Sequence, residues 1–94
     1  MKIYISGAIT GTDDYMERFE KAEKELAEKG YSVVNPAKVN AQLPEDTSYE
    51  EYMKMCFCML DMCDSIYMLG WSESCGANRE LGYAMARDKI IMYE

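Results

Sequence analysis

Residues 64–84 read Asp64-Ser65-Ile66-Tyr67-Met68-Leu69-Gly70-Trp71-Ser72-Glu73-Ser74-Cys75-Gly76-Ala77-Asn78-Arg79-Glu80-Leu81-Gly82-Tyr83-Ala84. The run from Ile66 to Leu69 is apolar without alternation, which suits a strand covered on both faces, and the small residues after it open into a helical pattern. A strand, a loop and a helix are therefore predicted here, the helix running from Gly76 to about Arg87 with Leu81, Ala84 and Met85 inward. Glu80 falls in its first turns, flanked at helical spacing by Ala77 and Ala84, with Tyr83 on the same surface. A carboxylate on a small-residue face is either a solvated residue or a placed nucleophile or base, and composition alone does not choose.

The same order recurs outward from this unit. Lys2 to Ser6 is a short β-branched and aromatic run closed by Gly7, the first strand. Gly7-Ala8-Ile9-Thr10-Gly11-Thr12 is a two-glycine loop with neither dinucleotide nor Walker spacing. From Asp13 to Lys29 the apolar positions Tyr15, Phe19, Ala22 and Leu26 mark an amphipathic helix, stopped at Gly30. Tyr31 to Val34 is the second strand, ended by Asn35-Pro36. A long crossover follows to Thr47, with room for one helical turn over residues 37–42, of the kind that can wall a pocket. Ser48-Tyr49-Glu50-Glu51 is a capping box that opens a helix through Cys63, and Lys89 to Tyr93 forms the last strand. Apolar strands alternating with helices give one α/β domain over residues 1–94. Right-handed crossovers make it a Rossmann-like three-layer sandwich whose four-stranded parallel sheet has the order 2-1-3-4.

Composition limits what such a domain does. The 94 residues carry a formal net charge of −7 and no histidine, which argues against a nucleic-acid polymer as partner and removes the commonest general base and metal ligand. No metal site and no cofactor are predicted. Cys56, Cys58, Cys63 and Cys75 contain no Cys-x-x-Cys pair, so reduced thiols in the cytoplasm are expected. No signal layout and no membrane-spanning run are present, so no membrane partner is expected. From Met53 to Cys63 only Lys54 and Asp61 are charged. A helix so apolar needs cover on both sides, which predicts a homodimer or higher homo-oligomer through residues 48–63.

Open α/β sheets bind ligands beyond the carboxyl ends of their strands, where the strand order reverses. With the order 2-1-3-4, the loops 7–12 and 70–76 converge there, Asn35 opens on the same edge, and the helix starts at Asp13 and Gly76 aim N–H groups inward. Ser74, with Cys75 and Gly76, is placed to donate to a phosphate.

Three segments together, Ile3 to Gly11, Cys63 to Ile66 and Ser74 to Ala84, resemble the nucleoside 2-deoxyribosyltransferase-like family, which includes deoxynucleoside monophosphate N-glycosidases and many small phage and bacterial proteins. The likeness covers nearly the whole chain in order and spacing. It implies that Glu80 is a nucleophile attacking the anomeric carbon of a deoxyribose, that Tyr4 positions it, and that Ser74 contacts a phosphate. Gly7, Ala8, Ile9, Gly11, Asn35, Cys56, Gly76 and Asn78 complete the implied ligand-binding set for a small nucleoside or nucleotide. Two departures stand out: Cys56 lies 24 residues before Glu80, where relatives commonly have an aspartate, and Ala8 replaces a polar residue. A thiol is a poor general acid. The resemblance thus supports two readings, a glycosidic enzyme or a nucleotide-binding protein that has kept the pocket without the chemistry.

Overall fold

A computed structural model of the chain describes residues 1–8, 14–70 and 75–94. Its elements are β1 (Lys2–Gly7), α1 (Tyr15–Glu28), β2 (Ser32–Val34), α2 (Pro36–Asn40), α3 (Tyr49–Asp61), β3 (Ser65–Leu69), α4 (Cys75–Ala86) and β4 (Ile90–Tyr93). The sheet is parallel throughout with the order β2-β1-β3-β4, as the apolar strands and right-handed crossovers require.

Alternation along the two central strands builds the layers. Ile3 and Ile5 of β1 point with Leu69 of β3 to one face, where Phe19, Ala22 and Leu26 of α1 and Ala37 of α2 cover them. Tyr4 of β1 points with Ile66 and Met68 of β3 to the other face, beneath Cys56, Met59 and Leu60 of α3 and Ala77 and Ala84 of α4. One strand thus sends its apolar residues to one helical layer and Tyr4 to the other. Any polar group that Tyr4 meets must come from α3 or α4.

The helix boundaries follow their signals. Ser48 accepts from Glu51 N–H at 3.1 Å while the Glu51 carboxylate accepts from Ser48 N–H at 2.8 Å, the reciprocal pair of a capping box. Gly30 ends α1 with φ +93°, a conformation costly for any residue with a Cβ. The crossover turn predicted over 37–42 is a one-turn helix, α2, capped by Asn35.

Two expectations are corrected. Met85 is 62% exposed: α4 turns Ala77, Glu80 and Ala84 to the core, and Met85 lies one residue, about 100° of helix rotation, beyond that face. Tyr83 does not share the environment of Glu80; it stacks on Phe57 of α3 with centroids 4.4 Å apart. α3 buries Met53, Cys56, Met59 and Leu60, has Phe57 covered by Tyr83, and leaves Met55, Cys58 and the C-cap residue Met62 on an exposed stripe.

Candidate active site

Among the described residues Glu80 is the buried charged side chain, only 6% exposed. Its small neighbours explain how it gets there: Ala77 and Ala84, one turn either side, let α4 approach β1 and β3 closely, so the carboxylate reaches the strands. Tyr4 and Ser6, two apart on β1 and so on one face, both donate to it, Tyr4 Oη to Oε2 and Ser6 Oγ to Oε1 at 3.0 Å. Cys56 of α3 stands within hydrogen-bonding reach of the same carboxylate. Asn40 of α2 donates from Nδ2 to Cys56 Sγ at 3.5 Å, while its buried Oδ1 has no partner among the described residues.

This setting changes the proton affinities. Burial raises Glu80 to about 7, against the opposing pull of the Tyr4, Ser6 and Cys56 donors. Burial, reinforced by the Glu80 charge, lifts Tyr4 well above the usual phenol range. The Cys56 thiol is also raised, by burial first and then by Glu80. Near neutral pH the cluster therefore holds one carboxylate shared between its ionised and protonated forms, with neutral donors around it. A nucleophile or base poised near the working pH needs that arrangement.

Beside the carboxylate lies a cavity of about 730 Å³, within the range of small-molecule pockets. β1 contributes Gly7 and α1 contributes Tyr15. The α2 segment supplies Ala37, Asn40, Ala41, Leu43 and Glu45. From α3 come Tyr49, Tyr52, Met53 and Cys56, and from α4 Cys75, Gly76, Ala77 and Glu80. A Cβ on Gly7 would sit 2.9 Å from Leu69 O and 3.0 Å from Leu69 Cβ, so only glycine lets β1 and β3 run together at the cavity edge.

The sequence-predicted residues divide accordingly. Gly7, Cys56, Gly76 and Glu80 line the cavity, and Tyr4 stands behind Glu80. Asn35 does not line it: its Oδ1 caps Ala37 N–H at 3.1 Å and its Nδ2 binds Glu23 at 3.0 Å, a structural post between α1 and α2. Asn78 is exposed and Ala8 half-buried, neither among the lining residues. Ile9, Gly11 and Ser74 lie outside the described residues. Arg79 pairs locally, bonding Glu50 at 3.0 and 3.3 Å. The sequence reading missed Ser6, Asn40, Glu45 and the tyrosines at 15, 49 and 52. For Ser6 a signal existed, since it shares a strand face with Tyr4; for Asn40 none did, because the turn of α2 alone aims it inward.

Among the described residues no group of histidines, cysteines and carboxylates is arranged to hold a metal ion. No helix is long and apolar enough to cross a membrane.

The fold has a solved counterpart. The chain is similar to a 2-deoxyribosyltransferase from the psychrotolerant bacterium Bacillus psychrosaccharolyticus, with a TM-score of 0.79 and 22% identity, covering 99% of this chain and 71% of that one. At this identity the likeness concerns the fold. No curated protein matches the sequence. A family match extends over residues 1–93, and the chain belongs to that family, described as a domain of unknown function, DUF4406.

Proposed function

We propose that the chain cleaves or exchanges the N-glycosidic bond of a nucleoside or nucleotide, with Glu80 as nucleophile. The observation that carries this reading is a buried carboxylate, held by two hydroxyl donors, on the wall of a nucleoside-sized cavity. In its ionised form Glu80 attacks the anomeric carbon as the base departs. The glycosyl ester is then opened by water, giving hydrolysis, or by a second base, giving transfer. Tyr4 and Ser6 fix the carboxylate's orientation and restrain its charge until the attack. The fold likeness to a 2-deoxyribosyltransferase supports this choice of bond over others open to a buried glutamate.

The test is release of free base from a panel of 2′-deoxynucleosides and their monophosphates, followed by chromatography. Wild type is expected to release base and Glu80→Gln to release none. A second reading, a nucleotide-binding protein without chemistry, is favoured by Cys56, a thiol where relatives commonly place a carboxyl group. It holds if the panel yields no base while one of its members raises the melting temperature.

The reading extends to assembly and compartment. The exposed stripe of Met55 and Cys58 on α3 and Met62 at its C-cap is the face we assign to self-association, and a monomer in sedimentation at micromolar concentration overturns that assignment. A thiol hydrogen-bonded inside the site is preserved by a reducing compartment, which fits the cytoplasm.

A further inference from the structure

We propose that the cavity is built for N-glycosides whose leaving heterocycle carries a positive charge, a pyridinium or an N-alkylated purine. The inference rests on the glycosidic reading above and names its substrate class.

The first ground is the missing proton. A neutral purine or pyrimidine departs as an anion unless an acid protonates it, and such an acid contributes about 10²–10⁴ in rate. Among the described residues the carboxyl groups lining the cavity are Glu80, the nucleophile, and Glu45, on the exposed segment after α2. Cys56 sits against Glu80, but burial and the Glu80 charge make its thiol hold the proton more tightly than usual. The Tyr4 proton is committed to Glu80. A cationic heterocycle needs none of them: its bond electrons cancel its own charge.

The second ground is the field. Glu45 and Glu80 are the only charged groups lining the cavity among the described residues. Arg79 is neutralised by Glu50 and Lys38 by Glu23 at 3.0 Å, Arg18 lies beside Gly70 outside the lining, and residues 9–13 and 71–74 contain no lysine or arginine. The Oδ1 of Asn40, without a partner among the described residues, adds the negative end of an amide dipole. Tyr49 already takes the Arg79 guanidinium at 5.6 Å, which leaves the rings of Tyr15 and Tyr52 for a second cation.

The chemistry balances. The C1′–N bond breaks and its electron pair goes to the ring nitrogen, giving a neutral base with no proton added. A lone pair of Glu80 forms the C1′–O ester. Water then bonds to C1′, the ester electrons return to Glu80, and one proton passes to solvent.

The experiment pairs substrates by charge: nicotinamide riboside with its dihydro form, and 7-methylguanosine with guanosine, each as ribo- and 2′-deoxyriboside, with uncatalysed rates subtracted. The cationic member is expected to show kcat/KM at least about 100-fold higher. Cys56→Asp should narrow that ratio by accelerating the neutral member, and Glu45→Gln should raise KM for the cationic members alone. Neutral members cleaved as fast as cationic ones, or a folded Cys56→Asp protein with an unchanged ratio, overturn this inference and leave the glycosidic reading standing. No base from any substrate overturns both. If Cys56→Asp does not fold, the wild-type ratio decides.

Discussion

Tyr4 of β1 donates its phenolic proton to Glu80 of α4 across 76 positions of sequence. The bond ties the first strand to the last helix in one polar cluster inside an otherwise apolar layer. It makes the protonation of a single residue visible in both stability and rate.

Stability is expected to fall as pH rises. Glu80 binds its proton more tightly in the folded chain, where it titrates at about 7, than in the unfolded chain near 4.5. The stabilisation is complete below pH 4.5 and is lost as pH rises through about 7, amounting to about 3 kcal/mol. Glu80→Gln keeps the shape and has no charge to bury. Thermal melts should show the variant close to wild type at pH 4.5 and more stable by about that amount at pH 8.

Rate should move the opposite way. If the ionised carboxylate attacks, kcat/KM rises with pH to a plateau above about 7. Tyr4→Phe removes a donor that favours ionisation, so the rise moves to higher pH and the rate at pH 7 falls about tenfold, the worth of one hydrogen bond to a charge. A pH–rate profile of the two proteins checks both expectations.

Gly7→Ala is expected to destabilise by about 1–3 kcal/mol, as forced overpacking does. The added Cβ would lie 2.9 Å from the Leu69 carbonyl and 3.3 Å from Phe19 Cε1, and a backbone carbonyl has little freedom to retreat. Urea unfolding measures the loss.

The clasp between α3 and α4 offers a control away from the cavity. Tyr83 donates to Asp61 at 2.8–2.9 Å and stacks on Phe57, while Arg87 pairs with Asp61 at 3.2 Å and lies 4.3 Å from the Tyr83 ring centre. Tyr83→Phe should lower the melting temperature slightly through the lost hydrogen bond, and Tyr83→Leu should lower it further through the lost stacking. Melting temperatures of both variants, compared with their rates of base release, separate stability from chemistry.

Much of this was legible in the sequence because strand and helix signals agreed. The apolar runs at Ile3 to Ile5 and Ile66 to Leu69, the Ser48–Glu51 box and the Gly30 stop each reappear as elements, and the strand order followed from handedness. Apolarity points to Met85 as a buried residue of α4, but close approach of the helix to the sheet selects Ala77 and Ala84 instead. Asn35 is ambiguous in sequence because a polar residue at a strand end can serve a ligand or a helix cap with the same side chain, and here it caps α2. Asn40 and the cavity tyrosines depend on how α2 and α3 lean together over β1, a tertiary fact with no local pattern.

The sheet also limits what a strand from another molecule could add to it. Its two open borders are β2, three residues long, and β4, four residues long. Borders this short give an incoming strand little to template on. Growth by strand recruitment, the usual hazard of an open sheet, is therefore curtailed.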